Sequence, residues 1–278
     1  MKDFWAIYRR NKGSIIGLVI LVVVLIVALA GPLLMPGDPW EIKARPLLPP
    51  STTFLMGTDV LGRDVLAGVV HGAQVSLLIG LVSTLVAVTL GLLLGAFAGY
   101  FGGPVDDIVV RITEFVQTIP SFILAMVLVA VLGPSIGSIV ISIAVVTWPP
   151  VCRLVRAEFM SLVQREFVEA AVVSGQRTAN IIFREILPNA LSPIIVMASL
   201  MVATAILTES ALSFMGLGDP NRISWGYMIG AARSALRQAW WISVFPGAAI
   251  FLTVLAINLV GEGLNDALNP RLARRGRV

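Results

Sequence analysis

Cys152 and His71 are the only cysteine and the only histidine in the chain. A disulfide framework and a Cys/His zinc cluster are therefore both outside its reach, and any metal chemistry would have to rest on carboxylates. His71 has no nucleophile at helical spacing, and no two aspartates share an apolar run as an acid and base pair, so catalysis within a membrane by this chain alone is not expected. The phosphate-cradling loop of ATP-binding proteins ends in Gly-Lys-Ser/Thr. None of the lysines, Lys2, Lys12 and Lys43, follows a glycine. Glu209, just past the Leu191 to Leu207 apolar run, is the nearest candidate for an ionisable group at membrane depth. It reads either as a structural or interfacial end-of-helix charge, within reach of the headgroup region, or as an ion or substrate ligand.

The remaining pattern is Glu169-Ala170-Ala171, three residues, Gly175, then Leu187-Pro188. Its residue types predict a short helix over Glu166 to Ser174, a sharp turn at Gly175, and a second short helix from Thr178 to Ile186 stopped by Pro188. Ala170 and Ala171 permit close approach, and Ile181, Ile182, Phe183 and Ile186 form an apolar face. Two readings fit: a handle protruding toward a partner protein, or an amphipathic loop lying on a bilayer surface.

The elements that must position this loop are set by hydropathy. Of the 278 residues, 57% are hydrophobic and 13% charged, against about 25% charged in soluble domains. Charge-free runs long enough to cross a hydrocarbon core give six predicted spans. The first is Ile15 to Leu34, too long for a signal peptide core and without a cleavage site. The second is Val75 to Phe97; the third and fourth divide Phe115 to Cys152 at the Gly133, Pro134, Ser135, Gly137 cluster. The fifth is Leu191 to Leu207 and the sixth Trp241 to Val260. Met35 to about Gly72, rich in proline and mixed charge, reads as a long extramembrane loop. The expected organisation is a 1–72 segment holding the first span and that loop, then a 73–278 five-helix core with a hydrophilic loop at 153–189.

Gly91, Gly95 and Gly99 share one face of the second span, fitting close packing against another helix of this chain or against a second subunit. Pro120 and Pro149-Pro150 should kink or end their helices. Basic residues cluster at the ends of apolar runs rather than in a stripe interleaved with aromatics, which argues for membrane topology and against nucleic acid. With the amino terminus inside, fourteen of the twenty lysines and arginines fall on the cytoplasmic side, Arg271, Arg274, Arg275 and Arg277 of the tail among them. Both termini are thus expected in the cytoplasm. The scarcity of charge within the spans speaks against a self-sufficient ion-coupled carrier or channel.

The Glu169 to Pro188 pattern strongly resembles the EAA motif of permease subunits from ATP-binding-cassette importers: Glu-Ala-Ala, three residues, Gly, nine residues, Ile-x-Leu-Pro. Glu185 stands where that motif has isoleucine, and Ile186 follows it. Gly57-Thr58-Asp59-Val60-Leu61-Gly62-Arg63-Asp64, Leu212 to Gly218 followed by Ser224-Trp225-Gly226, and Asn258-Leu259-Val260-Gly261 resemble the second permease of dipeptide, oligopeptide and nickel importers. The resemblance implies an all-α fold of six transmembrane helices, that of a type I importer permease in a cell inner membrane. It implies a homologous second permease, two ATPase subunits that hold the ATP and Mg, and an extracytoplasmic solute-binding protein, with no cofactor in this chain. It assigns ATPase coupling to Glu169, Ala170, Ala171, Gly175, Thr178, Ile182, Leu187 and Pro188. It places Asp59, Arg63, Asp64, Glu209 and Trp225 toward the binding protein or the outer gate. Peptide is favoured over nickel because no imidazole or thiolate cluster lines the predicted spans.

Overall fold

Inside a bilayer the backbone has no water to bond, so an apolar run must satisfy its own N–H and C=O groups as a helix. The computed structural model of the chain describes residues 2–268 and is helical through the predicted spans, with a break at residues 118–120 inside the third. The four tail arginines from Arg271 to Arg277 lie outside the described residues.

A short basic helix, α1 (Lys2–Arg10), leads into α2 (Lys12–Leu34), whose start is fixed by the Asn11 side chain accepting from the Gly13 and Ser14 N–H groups. α3 (Val65–Phe101) is 37 residues long and begins well before the expected Val75. The cause is Asp64, whose carboxylate accepts from the Leu66 N–H at 2.9 Å and caps the helix there. The long loop therefore ends at Asp64 and not near Gly72.

α4 (Gly103–Gln117) and α5 (Ser121–Leu132) follow, bent by 82° at the break that holds Pro120. Proline cannot donate to a helix and drives the residue before it out of the helical region. α5 alone rises about 18 Å, short of a core of about 30 Å, so the third span is a broken one. α6 (Ile136–Val163) starts beyond the Gly133 turn and runs unbroken through Pro149 and Pro150, which do not end it as expected. α7 (Glu166–Val173), the single turn α8 (Thr178–Asn180) and a π-turn (Ile181–Ile186) lead into α9 (Leu187–Leu212). A second π-turn (Ser213–Leu217), α10 (Trp225–Ala231) and α11 (Trp241–Leu268) complete the described chain. Among the described residues five helical stretches are long and apolar enough to cross a membrane, six with the bent α4–α5 pair.

The centre of the molecule is the α3–α6 seam. A Cβ at Gly91 would lie 2.6 Å from the Val151 Cβ, one at Gly95 2.5 Å from the Cys152 carbonyl oxygen, and one at Gly99 2.6 Å from the Phe159 Cβ. Of the two readings of this glycine face, the structure selects packing within the chain. At the α7 end of the seam Arg156 makes a bidentate ion pair with Asp106 of α4. α9 packs on α3 and α6, and α11 closes the bundle against α2 and α9. The helix ends then form two functional-looking surfaces, one at residues 164–187 and one built from residues 35–64 and 213–240.

Candidate functional site

At the first surface the predicted helix, turn and helix are present, with one change. Gly175 adopts φ +72, a left-handed conformation that costs other residues about 1–2 kcal/mol. No atom lies within 4 Å of a Cβ built there, so the need for glycine is conformational rather than steric. The Gly175 N–H donates to the Val172 carbonyl at 2.9 Å and that of Gln176 to Ala171 at 3.1 Å, closing the end of α7. Pro188 does not stop the second helix. It occupies the first turn of α9, where the N–H it lacks is least missed, and the Asn189 amide donates to the Glu185 carbonyl at 2.7 Å.

Ile181, Ile182 and Ile186 are buried among Val155 and Phe159 of α6 and Val168 and Ala171 of α7. The apolar face of the loop is thus consumed by the chain's own core and is not free to lie on lipid. Phe183, expected on that face, is instead 41% exposed. Glu169, Ala170, Gly175 and Thr178 point outward, together with Val172 and Val173, the latter 88% exposed. Leu187 is half-buried. The Gln176 amide reaches the Glu185 carboxylate at 3.4 Å, while Ile186 fills the buried position next to it with no exposure. Sequence reading did not single out Val172 and Val173.

At the second surface the Gly57–Asp64 segment is folded onto itself. The Asp59 carboxylate accepts from the Leu61 and Arg63 N–H groups, both at 2.8 Å. The buried Thr58 hydroxyl donates to the Arg45 carbonyl at 2.8 Å, and the Trp241 indole donates to the Thr58 carbonyl at 3.1 Å. The Arg63 guanidinium lies 4.6 Å from the centre of the Trp40 ring. Asp59, Arg63 and Asp64 line a pocket closed on its other side by Ile223, Tyr227 and Met228.

Trp225, the first residue of α10, is buried against α3: its backbone N–H donates to the Ser76 hydroxyl at 3.0 Å and its indole to the Val69 carbonyl at 2.8 Å. Glu209 is 1% exposed, which fits the structural reading of this acid and not hydration by headgroups. Its carboxylate accepts from the Ser213 hydroxyl at 2.8 Å and the Ser224 hydroxyl at 2.7 Å. A Cβ at Gly226 would lie 3.0 Å from both of its oxygens. Burying an acid demands such partners. The Asp219 carboxylate ties the same segment to α6 by accepting from the Ile136 N–H at 3.1 Å. Ser224 could have been found in the sequence, since serine ahead of an apolar turn is a helix cap; it caps α10 through the Tyr227 N–H. The pairing of Ser213 and Ser224 with Glu209 has no such signal.

The two surfaces lie at opposite ends of helices such as α6, whose 28 residues span about 42 Å. The structure therefore brings Asp59, Arg63 and Asp64 against the α10 segment that holds Trp225 and covers Glu209, and keeps the Glu169 to Pro188 group apart from them. No group of three or more metal-ligating side chains occurs among the described residues.

Comparison with known proteins identifies the family of the chain. Residues 91–274 match the family described as the binding-protein-dependent transport system inner membrane component, and residues 1–50 match the N-terminal transmembrane domain of oligopeptide transport permease C. The chain is 45% identical to the dipeptide transport system permease protein DppC of Escherichia coli (strain K12), over 98% of this chain and 93% of that protein. It is 41% identical to the di/tripeptide transport system permease protein DppC of Pseudomonas aeruginosa (strain UCBPP-PA14), over 98% and 92%. A chain of the MetNI methionine ABC transporter, solved in inward-facing conformations, shares the fold with a TM-score of 0.58 at 17% identity, covering 73% of this chain and 96% of that one. The chain is a multi-pass membrane protein that belongs to the family of inner-membrane components of binding-protein-dependent transport systems.

Proposed function

We propose that this chain is one of two permease subunits of an ATP-driven importer of di- or oligopeptides. ATP and Mg act in two partner ATPase subunits, and an extracytoplasmic binding protein delivers the solute. The observation that carries the reading is the construction of the Glu166–Leu187 loop. Its outer side offers Glu169, Ala170, Val172, Val173 and Thr178 to a partner, while its inner side is locked to α6 and runs without a break into α9. A displacement imposed on that outer side by an ATPase is delivered to two spans at once, because close-packed interiors shift as units. Ile182, Leu187 and Pro188 serve as the rigid attachment of this lever, and Gly175 as its sharp corner.

In this reading both termini are cytoplasmic. Asp59, Arg63, Asp64 and the Asp219 to Trp225 segment face the binding protein, with Glu209 and Trp225 holding that segment in place from beneath. The 45% identity over nearly the whole length to a dipeptide permease supports peptide as the solute.

The test is Gly175→Pro and Val173→Asp in the assembled transporter. Proline cannot take φ +72, and an aspartate at an 88% exposed position spoils an apolar contact without disturbing the core. Both variants should insert and fold, yet lose peptide uptake and retain the ATPase subunits poorly. Wild-type uptake by either variant refutes the assignment of this loop to coupling.

A further inference from the structure

At the elbow between α4 and α5 the described chain leaves a groove that its own packing does not fill. Gln117 and Ser121 flank the elbow, Thr147 faces it from α6, and Met197, Met201 and Thr204 face it from α9. The groove encloses about 500 Å³, within the range of about 300–1,000 Å³ typical of small-ligand sites. Helix rise places it at depth. Thr147 lies about 16 Å along α6 from its first residue, and Thr204 about 12 Å from the last residue of α9, near the middle of a core of about 30 Å.

The chemistry of this wall differs from that of a lipid-facing one. Gln117 and Ser121 are exposed and have no side-chain hydrogen-bond partner among the described residues. An amide left unpaired in hydrocarbon costs roughly several kcal/mol. α3 shows the contrasting surface, exposing Leu78, Leu81 and Leu85. None of the groove residues is ionisable. The Thr147 and Thr204 hydroxyls donate to the Ile143 and Leu200 carbonyls of their own helices, at 2.7 Å and 3.2 Å, which leaves their oxygen lone pairs as acceptors. Gln117 adds two N–H donors and a carbonyl acceptor. The two methionines give an apolar surface that adapts to varied shapes.

We infer that this groove is a water-lined wall of the solute pathway, and that it takes the amide backbone of a short peptide through Gln117, Thr147 and Thr204 while Met197 and Met201 accommodate side chains of any shape. The inference rests on the importer reading above. A wall with donors and acceptors but no charge holds the feature all peptides share and selects weakly among their side chains.

Cysteine reporters in the assembled transporter in nanodiscs test it. The native Cys152 is buried against the α3 glycines and serves as a silent background. Thr147→Cys and Thr204→Cys, with Ser121→Cys at an exposed position should either disturb the fold, are compared with Leu85→Cys on the apolar face of α3. A charged thiol reagent should modify the groove cysteines roughly tenfold faster than Leu85→Cys, since the reactive thiolate needs water. Trialanine should slow that reaction, and free alanine, which has no peptide bond, should not. Groove cysteines that react no faster than Leu85→Cys overturn the inference, as does fast reaction indifferent to trialanine in a transporter that imports it. Failure of the unmodified transporter to take up any peptide sinks the importer reading instead, separately from the labelling rates.

Discussion

Gly95→Ala probes the α3–α6 seam with one added carbon. The new Cβ would stand 2.5 Å from the Cys152 carbonyl oxygen and 2.9 Å from the Val155 Cβ. The first obstacle is backbone, so no rotamer change relieves it, and α3 and α6 must separate by about 1 Å to restore ordinary contact. Overpacking of this kind costs about 1–3 kcal/mol, and a backbone obstacle puts the cost at the upper end. Alanine returns about 1 kcal/mol as a better helix former than glycine. The net loss is about 2 kcal/mol, a fall of roughly 4–8 °C in the unfolding midpoint for a chain of this size. Cys152 sits on the seam with 1% exposure, so its reaction with a thiol-sensitive dye during heating reports the separation directly. The control is Gly247→Ala in α11, where nothing lies within 4 Å of the added carbon and no loss is expected. A Gly95→Ala protein that exposes Cys152 at the wild-type temperature would refute the claim that this seam is set by backbone contact.

Three further substitutions address the parts around the seam. Glu209→Ala deprives the buried Ser213 and Ser224 hydroxyls of their acceptor, which should cost about 2–4 kcal/mol and open residues 213–224 to protease; Glu209→Gln, which keeps an acceptor oxygen, should lose less, and equal losses would argue against the hydroxyl contacts. A double-mutant cycle with Asp106→Asn and Arg156→Gln, whose side chains are 16% and 30% exposed, should give a coupling of about 1–2 kcal/mol, and a zero coupling removes the α4–α6 tie. Trp241→Phe strips the indole N–H from the buried Thr58 carbonyl and should cost about 1 kcal/mol, seen as faster proteolysis of the 35–64 loop; an unchanged cleavage rate would mean that the loop is held by other contacts.

Hydropathy made the six spans legible, because the length of an uncharged run and the thickness of a bilayer leave little choice. The turns at Gly133 and Gly175 were legible for a local reason, both being glycines at positive φ. Prolines were not uniformly legible. Pro120 breaks its helix while Pro149, Pro150 and Pro188 stay inside helical backbone, a difference that residue type alone does not encode. Asp64 moved the start of α3 through a cap that a run of mixed charge concealed. The burial of Glu209 was not legible, because hydropathy records where a charge falls along a span and not what covers it. Its serine partners come from a segment four and fifteen residues away, folded back over the helix end. At the Glu166–Leu187 loop the order of elements was legible, but the apolar residues exposed there were not, since exposure of Val172 and Val173 depends on Ile181, Ile182 and Ile186 having taken the interior.

The central claim is that this chain works as a permease driven from outside itself through the Glu169 to Gly175 loop. It is tested most directly by affinity purification of the tagged chain from gently solubilised membranes, identification of the subunits that accompany it, and an ATPase assay of the eluate. A second permease and two ATP-binding subunits should be recovered, with ATPase activity lost when Glu169 to Gly175 is disrupted. A chain recovered alone that still transports solute after reconstitution would contradict the account.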